Sequence, residues 1–150
     1  MLGLELILQS LPWFVIAAIC YSIVWHNAHT AKAMIALVFH SLIVYVLKET
    51  LRVERLIEDY GIGHSLPSLH ASSVTFLASY YIYLFMDADW TFETKSYRIS
   101  LAAIYAILIY TSCIVLQYNT FLDVYTGIGT GITCTICFVA FQKEEILKYD

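Results

Sequence analysis

The sequence predicts an all-α integral membrane protein, one bundle of about five transmembrane helices, and two observations carry that prediction. Of its 150 residues, 60% are hydrophobic and only 13% charged, with a mean hydropathy of +0.72. A soluble domain of this size could not cover so much apolar surface. Five stretches also reach, or nearly reach, the length a helix needs to cross about 30 Å of hydrocarbon. They run Ile7–Trp25, Ala31–Leu47, Pro67–Met86, Tyr97–Gln117 and Thr120–Phe141. Residues 1–150 then form a single domain, with no room for a second. The net charge of −4 is spread thinly and points to no nucleic-acid partner.

Each element has its own local signal. The first stretch follows Glu5 rather than a basic region and is long enough to span, so it reads as a helix and not as a cleavable leader. The turn HNAHT (His26–Thr30) precedes the second, and Lys48 ends it. The third opens on HSLPSLHASS, where Pro67 suits a first helical turn. The acidic connector DADWTFETK (Asp87–Lys95) reads as solvated and leads to the fourth. A tight turn at Tyr118–Asn119 leads to the fifth.

These connections define two membrane sides. Lys48, Arg52 and Arg55 fall on the side of the N-terminus, and Lys32, Lys95, Arg98, Lys143 and Lys148 on the other. The positive-inside rule places the second group in the cytoplasm or its topological equivalent. All four cysteines lie within predicted spans, and Cys134-x-x-Cys137 reads as packing, since no second ligand pair is near. Gly127 and Gly131 form a G-x-x-x-G spacing that lets a neighbouring helix approach closely. A nucleotide loop is a poor reading of them, because no strand precedes and no Lys-Ser/Thr follows. His26-x-x-His29 has workable metal spacing but no nearby acid, and His64 with His70 reads better through an anion site, so no metal and no cofactor is expected.

Unusual polar residues gather on the side of the N-terminus. Lys48 and Arg55 are seven residues apart, close to two turns, and face one way if the helix continues; alone they also read as an interfacial snorkelling pair. Ser68 and His70 fall where free N–H groups and the helix dipole favour an anion. Ser112 and Cys113 end the fourth span. Asn119 and Asp123, spaced i,i+4, share a face across the turn. A carboxylate at that spacing would orient a catalytic histidine, but the residue present is asparagine.

This ordered set resembles the type-2 phosphatidic acid phosphatase superfamily, whose motifs run K-x6-R-P, P-S-G-H and S-R-x5-H-x3-D. They stand here as Lys48-x6-Arg55-Leu56, Pro67-Ser68-Leu69-His70 and Ser112-Cys113-x5-Asn119-x3-Asp123. The sequence is more similar to the eukaryotic dolichyl-diphosphatase branch through LELILQSLPWFVI, His29-Thr30 and the Tyr118-x-Thr120…Val124-x-x-Gly127 pattern. The resemblance implies a phosphatase-like bundle in which His70 is the general acid and Asp123 the orienting carboxylate. It also implies that Lys48, Arg55 and Ser68, with Ser112 and Cys113 at the matching positions, hold phosphate.

The departures are as informative. Asn119 stands at the nucleophile and forms no useful phospho-intermediate. Cys113 replaces a bidentate arginine. Leu56 replaces the proline of the first motif, and the bulk of Leu69 stands where the second carries glycine. The expectation is a pseudoenzyme with a vestigial site at His70, Asn119 and Asp123, where Asn119 hydrogen bonds to Asp123. Such a protein would serve as a structural or lipid-binding subunit of a larger membrane complex, alongside membrane lipids and other membrane-protein subunits. The alternative is an active, divergent polyprenyl or dolichyl diphosphate phosphatase. The resemblance suggests the endoplasmic reticulum; an accessory subunit fits the mitochondrial inner membrane as well.

Overall fold

The computed structural model describes residues 3–7, 10, 16–17, 28–53, 65–87 and 91–147. Within them stand four long helices and no strand: α1 (Ala28–Leu51), α2 (Leu69–Asp87), α3 (Phe92–Val115) and α4 (Phe121–Leu147). Most of the first expected span lies outside the described residues, and so do Arg55, Leu56, Cys20, His26 and His64. Three segments, Ala31–Leu51, Phe92–Val115 and Phe121–Gln142, are long and apolar enough to cross a membrane. Their outward faces carry exposed Ile35, Val38, Phe39, Leu42, Ile107 and Ile136. This all-helical architecture fits an integral membrane protein.

Helix α2 is absent from that set, although it covers most of the third expected span. Its sequence is lightened by Ser72, Ser73 and Thr75, and all three side chains are buried inside the bundle. It packs against α4, α3 and α1, most extensively against α4. That approach is close because Gly127 and Gly131 face it. A Cβ at Gly127 would lie 2.8 Å from the Ser68 carbonyl oxygen, and one at Gly131 2.6 Å from that of Ser72. Thr135 Oγ1 donates across the same seam to the Phe76 carbonyl at 3.3 Å. On the α3 side, Thr75 Oγ1 and Tyr110 OH are 2.6 Å apart. Phe76, Tyr80, Ile109 and Val74 fill the interior between these contacts.

Helix ends explain the connections and correct three expectations. Helix α1 stops at Leu51 because Arg52 turns into the left-handed region, with φ 50°. Its N–H donates to the Lys48 carbonyl at 3.0 Å, and its Nε to that of Glu49 at 3.2 Å. Those bonds satisfy terminal carbonyls that further helix would otherwise take. The helix therefore ends before Arg55, which lies outside the described residues, so the condition for Lys48 and Arg55 to share a helical face is not met. Helix α3 begins at Phe92, earlier than the expected Tyr97, because Thr91 caps it by accepting from the Thr94 N–H. Glu93 in the first turn complements the helix dipole. Finally, Pro67 lies before the start of α2, and Ser68 is its cap, accepting from the Ala71 N–H at 3.4 Å.

Candidate functional site

The cap of α2 lies against the α3–α4 turn, so the second and third motifs meet at Ser68. Helix α3 ends as Gln117 takes a left-handed conformation, φ 58°, and its N–H donates to the Ile114 carbonyl at 3.0 Å. The chain then folds back, and Asn119 N–H reaches the Cys113 carbonyl at 3.2 Å. The two departures of the third motif are thus tied together through the backbone. From that turn Asn119 Oδ1 accepts from Ser68 Oγ at 3.0 Å, and Cys113 lies beside the same serine. Ser68 N–H donates to the Asp123 carbonyl at 3.0 Å, closing the cluster.

Asp123 does not pair with Asn119. Asn119 precedes the helix, whose cap is Thr120, so the i,i+4 spacing never becomes a shared helical face. Instead Asp123 Oδ2 accepts from the Thr120 N–H at 2.7 Å, while Thr120 Oγ1 accepts from the Asp123 N–H at 3.2 Å. This reciprocal capping box satisfies two donors that the first turn of α4 leaves open. The carboxylate also lies in the favourable field of the α4 N-terminus. Two separate bonds therefore replace the expected Asn119–Asp123 bond: Ser68 to Asn119, and Thr120 to Asp123.

The remaining site residues divide by burial. Ser68, Ser112 and Cys113 are fully buried, and Asp123 nearly so. Ser112 Oγ donates back to the Leu108 carbonyl at 2.7 Å. His70 is exposed at the second position of α2. Lys48 is half-buried in the last turn of α1, where a cation complements that helix's C-terminus. Gly127 and Gly131 lie under Ser68 and Ser72, holding α4 to the first turns of α2. Arg55 lies outside the described residues, but the chain on either side of it is pinned: Ser65 N–H donates to the Val53 carbonyl at 2.9 Å.

Two parts of this arrangement escaped the sequence reading. Thr120-Phe-Leu-Asp123 carries the [ST]-x-x-[DE] signature of a capping box, a signal present in the sequence. His40 lies eight residues before Lys48 on the same stripe of α1, and its Nε2 is 3.0 Å from Ser72 Oγ.

No curated protein and no solved structure matches the chain. The PAP2 superfamily matches residues 44–146, a range that holds all three motifs and the Ser68 cluster. Ordered motifs, converging caps and this match lead to one identification: the chain belongs to the PAP2 superfamily.

Proposed function

We propose that this chain is a catalytically degenerate, dolichyl-diphosphatase-like member of the superfamily, serving as a structural or lipid-binding subunit of a larger membrane assembly. One observation carries the reading: Ser68 Oγ gives its hydrogen bond to Asn119 Oδ1. The serine that would hold a phosphate oxygen is satisfied by the residue standing where the nucleophile belongs. An amide nitrogen there, its lone pair delocalised into the carbonyl, attacks no phosphorus. Cys113 supplies no charge to a transferring phosphoryl group, whereas arginine would supply a bidentate one. Asp123, engaged in the capping box, is no longer needed to orient a histidine.

Lys48, His70 and Arg55 retain the chemistry to meet an anionic headgroup at the membrane surface. The lipid-binding form of the reading rests on them. The exposure of His70 is the observation that favours the second reading, an active divergent lipid diphosphate phosphatase using His70 as its acid. The endoplasmic reticulum follows from the resemblance, and the mitochondrial inner membrane from an accessory role.

Extraction from its native membrane in mild detergent, followed by sizing, tests the subunit role. The reading predicts co-elution with other membrane proteins at fixed stoichiometry. A lone bundle that releases phosphate from a polyprenyl diphosphate, and loses that release in His70→Ala, would contradict it.

A further inference from the structure

The polar residues that bound each helix measure the bilayer around the chain. On α1, fifteen residues, 33–47, separate Lys32 from Lys48 and include no acidic residue, lysine or arginine. At 1.5 Å per residue they cover about 22 Å. His40 among them is buried, while Ile35, Val38, Phe39, Leu42, Ile43 and Val46 are exposed, so this stretch is the part of α1 that meets lipid.

Two more helices repeat the measurement. On α2, sixteen residues without charge, 71–86, separate exposed His70 from Asp87, about 24 Å. On α3, seventeen residues, 99–115, lie between exposed Arg98 and the helix end at Val115, about 26 Å. The limits of α2 and α3 coincide at both ends. At one end Lys95 Nζ donates to the Met86 carbonyl at 3.0 Å, and the Arg98 guanidinium lies 5.8 Å from the Phe85 ring centroid. At the other, Ser68 Oγ donates to Asn119 Oδ1 across the turn that ends α3.

These lengths fall short of an average hydrocarbon core of about 30 Å, and further short of a sterol-rich one of about 32–33 Å. Tilt only reduces the depth that a given length spans. Snorkelling helps at one end of α1: Cα–Cβ bonds tilt toward the helix N-terminus, so Lys32 reaches outward whereas Lys48 starts back toward the core. Helix α4 has a longer apolar stretch, Phe121–Gln142, but a long helix meets a thin core by tilting, and a short one draws the bilayer in.

We infer that the lipid-facing surface of this chain fits a bilayer with a thin hydrocarbon core, about 22–27 Å, with α1 as the limiting span. The endoplasmic reticulum, at about 27 Å, lies within that range, and a sterol-rich plasma membrane lies outside it. The inference uses helix lengths and not the phosphatase chemistry, so it stands whether or not the chain is an enzyme.

The test is thermal unfolding, followed by circular dichroism, of the full chain in small vesicles of phosphatidylcholines with progressively longer monounsaturated acyl chains. The melting temperature should be highest in cores of about 22–27 Å and should fall toward about 32–33 Å. Lys32 is exposed, so its replacement leaves the bundle interior intact. Lys32→Leu carries the uncharged stretch back to the start of α1 and should flatten that fall, whereas Lys32→Arg should keep it. A maximum at about 32–33 Å, or a melting temperature that ignores thickness, would overturn the proposal. A Lys32→Leu profile identical to that of the unaltered chain would overturn α1 as the limiting span.

Discussion

Gly131→Ala and Gly129→Ala add the same methyl group two residues apart on α4, and their effects should have opposite signs. At Gly131 the new Cβ would lie 2.6 Å from Ser72 O, 2.7 Å from Thr75 Cβ and 3.0 Å from Phe76 N. Two of these atoms are backbone, so α2 itself must retreat by roughly 0.8 Å to restore ordinary contact at 3.4 Å. Overpacking of this kind costs about 1–3 kcal/mol, and removing a helical glycine returns about 0.5–1 kcal/mol. Contacts of 2.6–2.7 Å put the cost at the top of that range, so a net loss of about 2 kcal/mol follows. At Gly129 nothing lies within 4 Å, so only the propensity gain of about 0.5–1 kcal/mol remains. The two variants should differ by about 2.5–3 kcal/mol. That is roughly 5–10 °C in melting temperature for a chain of this length. Thermal unfolding of both proteins in one detergent, followed by circular dichroism, measures the gap. Equal melting temperatures, or a less stable Gly129→Ala, would refute the close α2–α4 approach.

Three further outcomes follow from the site. Thr120→Ala and Asp123→Ala should each destabilise by about 1–2 kcal/mol, and the double variant should cost less than their sum, because the box is reciprocal; a denaturant double-mutant cycle reads this. Ser68→Ala removes a cap and leaves the half-buried Asn119 Oδ1 without its donor, at about 1 kcal/mol, whereas Ser68→Thr should recover part of the loss in the same assay. Cys113→Arg with Asn119→His should restore no phosphate release and should lower stability, because Cys113 is fully buried and an arginine there is enclosed; a colorimetric phosphate assay beside a melting curve checks both.

The helices were legible wherever apolar length and caps agreed. Composition and run length place α1, α3 and α4 because lipid demands a long unbroken apolar stretch, and these carry one. The G-x-x-x-G spacing marked the face of α4 that a neighbour approaches closely, because small residues admit a backbone there, but it did not say that the neighbour is α2. Helix ends were less legible, since they depend on one residue's backbone conformation. Arg52 and Gln117 take left-handed φ without being glycine, and nothing in their side chains announces it. The motif spacing was enough to bring Ser68 and Asn119 together, because both stand at helix ends on one membrane side. It was not enough to pair Asn119 with Asp123. Helical periodicity counts from the cap, and the capping box had a prior claim on the carboxylate. His40 was hidden for another reason: its partner, Ser72, lies on a different helix, and no local pattern links the two.

The proposal that this fold has lost its chemistry is tested most directly by phosphate release. The assay uses the protein in its native assembly, given a polyprenyl diphosphate and a phosphatidic acid in turn, with His70→Ala as the control. The account predicts no release above that control for either lipid. Release that depends on His70 would show that the Ser68–Asn119 cluster opens to substrate, and would contradict the account.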